Sequence, residues 1–75
     1  MNIEEKVLKI FVQTLSLKRS IKNPDKIKWD SLKHINLITN LEVEFNIIFE
    51  PEEISEMVSY SKMCKIISKK LKRQL

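Results

Sequence analysis

The chain has 75 residues, a net charge of +4, one cysteine, one histidine and no glycine. That length gives one domain, and one that buries only about 60% of its unfolded surface, so stability is modest. One Cys and one His exclude a disulfide framework and a metal-ligand cluster, and the core must come from apolar packing.

No apolar run approaches the roughly 18 residues that span a bilayer. The opening MNIEEK lacks the basic start and apolar stretch of a signal peptide, so a cytoplasmic protein without stable membrane insertion is expected. The charge is divided along the chain. Residues 1–30 carry seven basic and four acidic side chains, residues 31–60 one basic and six acidic, and residues 61–75 six basic and none acidic. An acidic middle between basic ends differs from a uniformly basic protein.

The first segment has apolar residues at Ile3, Val7, Ile10, Phe11 and Leu15. This helical spacing predicts a helix over about 2–16, with Asn2 as N-cap and Glu4 and Glu5 in the first turn. A long loop follows, with turn chemistry at Asn23-Pro24-Asp25. Ile21, Ile27 and Trp29 are expected to pin it to the core, with Trp29 covering one end.

The second helix is predicted to start at Asp30 or Ser31 and to stop near Phe45. Its inner stripe is read as Leu32, Ile35, Ile38, Leu41 and Phe45, widened by Leu37. Asn46 takes the left-handed closing position that glycine usually fills. Ile47, Ile48 and Phe49 are read as a buried connector. Pro51 suits the first turn of a short helix with Ile54 and Met57 inward. Ser59 or Ser61 caps a last helix whose inner face is Tyr60, Met63, Cys64, Ile67 and Leu71. The packed body is expected to span about 2–68, and the basic end, 69–75, to fray. The outcome is a single all-α domain: a four-helix bundle of three longer helices and one short one.

Asp30-Ser31-Leu32 alone is a weak signal, since Asp and Ser commonly cap helices. Its surroundings add to it. Ile35, Leu37 and Ile38, then Leu41-Glu42 and Glu44-Phe45, then the acidic segment from Pro51 to Met57 resemble the acyl carrier protein family. The long first loop and short third helix match that family's layout, and the resemblance covers about residues 3–68.

The resemblance implies a bundle of acyl-carrier type with a 4′-phosphopantetheine group on Ser31, moved from coenzyme A by a phosphopantetheinyl transferase. The cargo, an acyl or aminoacyl group, then rides as a thioester on the arm's thiol, and the carrier performs no chemistry itself. A phosphodiester at the start of a helix is favoured by the free N–H groups and the helix dipole there. The resemblance further implies that Asp30 helps the transferase engage and that Leu32 anchors the helix start to the core. Loading and consuming enzymes would present basic patches to Glu42, Glu44, Glu52, Glu53 and Glu56. A cleft near Ile35, Ile38, Leu41 and Ile54 would admit an acyl chain. The chain departs from the family pattern in its basic charge and in Lys33 and Asn36, where acidic residues are frequent. These departures point to a dedicated, stand-alone carrier in a specialised pathway; a monomer is expected.

His34 reads as an exposed helix residue with no special role, and Cys64 as a buried inert thiol. The alternative to a carrier is a small basic helical interaction or nucleic-acid-binding module with Ser31 unmodified. Lys62, Lys65, Lys69, Lys70, Lys72 and Arg73 favour it. No helix-turn-helix pattern or aromatic platform supports nucleic-acid binding, and the acidic middle opposes it. No catalytic pair is visible, so an enzyme is not expected.

Overall fold

A computed structural model describes residues 3–17 and 22–74. Asn2 and Ile21, expected to cap the first helix and to pin the loop, lie outside these residues, as does the side chain of Arg73. Among the described residues there are four α-helices and no strand: α1 (Ile3–Leu15), α2 (Ser31–Phe45), α3 (Pro51–Glu56) and α4 (Tyr60–Gln74). A 3₁₀ turn at Pro24–Lys26 sits in the α1–α2 loop.

α1 packs against both α2 and α4. Its buried residues Val7, Ile10 and Phe11 follow the predicted spacing. They meet Leu37, Ile38 and Leu41 of α2, Ile47 and Phe49 of the connector, Met57, and Met63, Cys64 and Ile67 of α4 in one cluster. Phe11 lies at its centre, edge-on to Trp29 at 5.3 Å and to Tyr60 at 5.8 Å. Edge-to-face pairs of this kind add to the value of the buried area.

Without glycine, the chain closes its helices with other residues. Ser16 (φ 56°) and Asn46 (φ 54°) both take the left-handed conformation. In each case the next residue donates back five positions: Leu17 N–H to the Val12 carbonyl (2.9 Å) and Ile47 N–H to the Glu42 carbonyl (3.1 Å). Leu17 and Ile47 pack on the core, as an apolar residue just beyond such a closure commonly does.

Two expectations change and one open alternative is decided. In the connector Ile47 and Phe49 are buried but Ile48 is 80% exposed. Successive side chains of an extended segment point to opposite sides, so the middle one faces out. The end of α4 is helical to Gln74. Leu71 packs against the core and the Lys70 ammonium pairs with Glu53 of α3 at 2.7 Å, which holds the last turns in place. Ser59 caps α4, accepting from Lys62 N–H (3.2 Å), whereas the Ser61 N–H is itself bound by Asp25 of the 3₁₀ turn (2.8 Å).

Candidate attachment site at the start of α2

Asp30 is the N-cap of α2. Its backbone is extended (φ −82°, ψ 177°) and its carboxylate accepts the Lys33 N–H at 2.8 Å. Ser31 is therefore the first residue inside the helix. It is exposed, and its hydroxyl makes no hydrogen bond to any described residue. Capping and display are divided between neighbours: the aspartate satisfies the helix end and leaves the serine oxygen uncommitted.

The next turn is fastened on both sides. Lys33 Nζ donates to the Thr14 carbonyl at 3.3 Å, placing a cation at the C-terminal end of α1, where the helix dipole favours it. His34 bridges three elements. The Trp29 Nε1–H donates to His34 Nδ1 at 2.9 Å, and His34 Nε2 lies 2.9 Å from the Ile54 carbonyl of α3. An indole N–H only donates and a carbonyl only accepts, so this pair of bonds requires a neutral ring with its proton on Nε2. The two ring planes are 12° apart, with centroids 6.1 Å apart, so the rings lie edge to edge across the Trp29–His34 bond. His34 is half-buried, not the idle surface residue expected from sequence.

An open groove of about 650 Å³ runs from Ser31 between α2 and α3. Lys28, Asp30 and Ser31 stand along it with Trp29, His34, Ile35, Ile54, Ser55 and Val58.

Two expectations for α2 are corrected here. Leu32 does not anchor the helix to the core: it is 68% exposed, and Ile35 is 62% exposed. The inward stripe is Leu37, Ile38 and Leu41, which are buried, extended by the half-buried His34 and Phe45. The reason is geometric. Nine residues at about 3.6 per turn make two and a half turns, so Leu32 and Leu41 point to opposite sides of the helix. The proposed cleft also divides. Ile35 and Ile54 line the groove, while Ile38 and Leu41 belong to the packed interior.

The acidic residues divide likewise. Glu42 is half-buried and its carboxylate accepts the Phe49 N–H (2.9 Å), which ties the connector to α2. Glu53 accepts the Glu50 N–H at the start of α3 (2.7 Å) and pairs with Lys70. Glu44, Glu52 and Glu56 remain exposed.

Away from the groove, burial pushes the Cys64 thiol upward, so the thiolate is disfavoured. Burial first, and Cys64 second, also raise the Tyr60 hydroxyl, which donates to the Glu4 carbonyl at 2.8 Å. Among the described residues no cluster of His, Cys, Asp and Glu is placed to hold a metal ion, and no helix is long and apolar enough to cross a membrane.

Sequence alone missed two things that matter at this site: the His34 bridge and the Asp25–Ser61 tie that anchors the loop leading to it. A signal for the first existed, since positions 34, 37, 38, 41 and 45 form the better helical stripe. No family model matches the chain, and no curated protein matches it.

Proposed function

We propose that the chain is a stand-alone carrier protein of acyl-carrier type, with Ser31 as the attachment point for 4′-phosphopantetheine. One observation carries this reading: Ser31 is exposed at the first position of α2, bonded through its hydroxyl to no described residue, while Asp30 does the capping. The helix order, long, long, short, long, with an extended loop after α1, supports the same reading. So does the motif Asp30-Ser31-Leu32 at that helix start.

The residues present fit the group. An O-linked phosphate ester needs a hydroxyl side chain, which Ser31 supplies, and its oxygen must be reachable by a transferase. Ser31 Oγ would bond to the phosphorus on the pantetheine side as the pyrophosphate bond of coenzyme A breaks, the adenosine 3′,5′-bisphosphate half would leave, and the serine proton would pass to a base of the transferase. When bound, the arm supplies a terminal thiol that holds an acyl or aminoacyl cargo. Asp30 holds the helix start in place for this exchange. Leu32, exposed beside Ser31, is a contact for the transferase and not a core anchor. Glu44, Glu52 and Glu56 are the carboxylates free to meet a basic patch on loading or consuming enzymes, while Glu42 and Glu53 act chiefly within the fold.

The test is an intact mass after incubation with coenzyme A, magnesium and a broad-specificity phosphopantetheinyl transferase, beside Ser31→Ala. The expected result is a gain of one phosphopantetheine in the native chain and none in the variant. No gain with several transferases would overturn the proposal.

A second reading has one observation in its favour. Lys62, Lys65, Lys69 and Lys72 are exposed on one side of α4, a helix without an acidic residue. An anion-binding helical module with Ser31 unmodified would use that side. It predicts binding to nucleic acid that weakens steeply with salt. Absence of such binding removes it.

A further inference from the structure

We propose that His34 is a latch that closes the interior to the cargo, so that an acyl group carried on Ser31 lies in the surface groove and does not enter the core. The inference rests on the carrier reading above and concerns the class of cargo: short acyl groups held at the surface, with no internal pocket for a long chain.

His34 of α2 and Ile54 of α3 both line the groove beside Ser31, and a chain tethered at Ser31 would have to pass between them to reach the buried cluster. The His34 ring is tied to α3 through the Ile54 carbonyl and to the loop through the Trp29 indole, both at 2.9 Å. The indole that holds His34 Nδ1 is itself backed by Phe11, edge-on at 5.3 Å. Turning the ring aside means breaking two hydrogen bonds together, and would leave the half-buried indole N–H without its partner. Behind the latch the described side chains form one packed cluster. Leu37, Leu41, Met57 and Met63 are fully buried in the packed cluster.

The groove in front of the latch offers the opposite conditions. Ile35 and Val58, 62% and 63% exposed, converge on it with Ile54 and Trp29, and Ser31 stands on its rim. A large exposed apolar side chain is ordinary when isolated. Here two of them line the same groove as the proposed attachment point. A cargo tethered at Ser31 can rest on these apolar walls while its reactive end stays accessible to a partner.

The test uses the full chain with methyl-labelled isoleucine and methionine. Loading is first verified by mass, with butanoyl and with dodecanoyl groups on the arm. No gain of phosphopantetheine would refute the carrier reading itself and is read separately. In the loaded native chain, the Ile35 and Ile54 methyl resonances should move with either acyl group, while Met57 and Met63 stay unchanged. Movement of Met57 or Met63 with dodecanoyl would overturn the inference, as would an unmoved Ile35 and Ile54. In His34→Ala, dodecanoyl but not butanoyl should move Met57 and Met63. A folded His34→Ala whose methionines remain unmoved would show that His34 is not the barrier. Should that variant unfold, Trp29→Phe removes the indole donor while keeping an aromatic ring against Phe11, and the same two results decide.

Discussion

The Trp29 indole N–H and the His34 Nδ1 meet at 2.9 Å, five residues apart, with their ring planes 12° apart. This contact joins the end of the long loop to the first turn of α2 and, through the other ring nitrogen, to α3. A double-mutant cycle should show it. Trp29→Phe and His34→Ala remove the same bond from opposite sides, so their effects on urea stability should be non-additive by about 0.5–1.5 kcal/mol. Strict additivity would mean that the two side chains do not depend on one another.

Asp30 and Ser31 should separate in a stability experiment as clearly as they do in geometry. Loss of the Asp30 carboxylate leaves the Lys33 N–H without its cap, and Asp30→Ala should cost about 1 kcal/mol. Ser31 is exposed and bonded to nothing described, so Ser31→Ala should fall within about 0.5 kcal/mol of the native chain. Chemical denaturation of both variants checks this. A Ser31→Ala loss as large as that of Asp30→Ala would assign the capping role to the serine.

Much of the fold was legible because its signals are local. The bounds of α2 follow from an aspartate before it and an asparagine after it, and the inner faces of α1 and α4 follow from spacing alone. What was not legible depends on rotation and on distant partners. Leu32 and Ile35 continue an apolar series at steps of three, yet such a series winds around a helix instead of running along it. Asp25 reads as a turn residue, but it binds Ser61, 36 positions away. His34 looked idle because its partners, an indole before the helix and a carbonyl on the next one, are set by tertiary packing. At the site, Ser31 and Asp30 could be singled out from sequence, whereas the groove beside them could not.

The rotation of α2 can be checked directly. Leu37 is fully buried and Leu32 is 68% exposed. Leu37→Ala should cost about 2–5 kcal/mol through lost burial and the cavity left behind. Leu32→Ala should cost no more than about 0.5 kcal/mol. Equal losses from thermal or urea unfolding would restore Leu32 to the core and refute the stripe described above.

Ser16 and Asn46 hold left-handed backbone without being glycine. That conformation costs an ordinary L-residue about 1–2 kcal/mol, and less for asparagine, whose side chain tolerates it. Glycine loses more entropy on folding, which offsets part of the gain. Ser16→Gly should therefore stabilise the chain by about 0.5–1 kcal/mol, and Asn46→Gly by less. A destabilised Ser16→Gly would mean that the serine side chain contributes at this closure.

Asp25 joins the long loop to α4 by accepting both the hydroxyl and the backbone N–H of Ser61, at 2.6 and 2.8 Å. The Ser61 hydroxyl first, and its N–H second, lower the carboxyl below its ordinary value of 3.8. Both donors favour the charged form, so the folded chain binds this proton more weakly than the unfolded chain. The contribution of Asp25 to stability is thus complete above pH 3.8 and is lost as the pH falls through the lower folded value. Asp25→Asn should be less stable than the native chain near neutrality, and the difference should shrink on acidification. Urea midpoints of the two proteins, taken from neutral pH down to about pH 3, measure that difference. A gap that stays constant into acid would show that ionised Asp25 does not hold the start of α4.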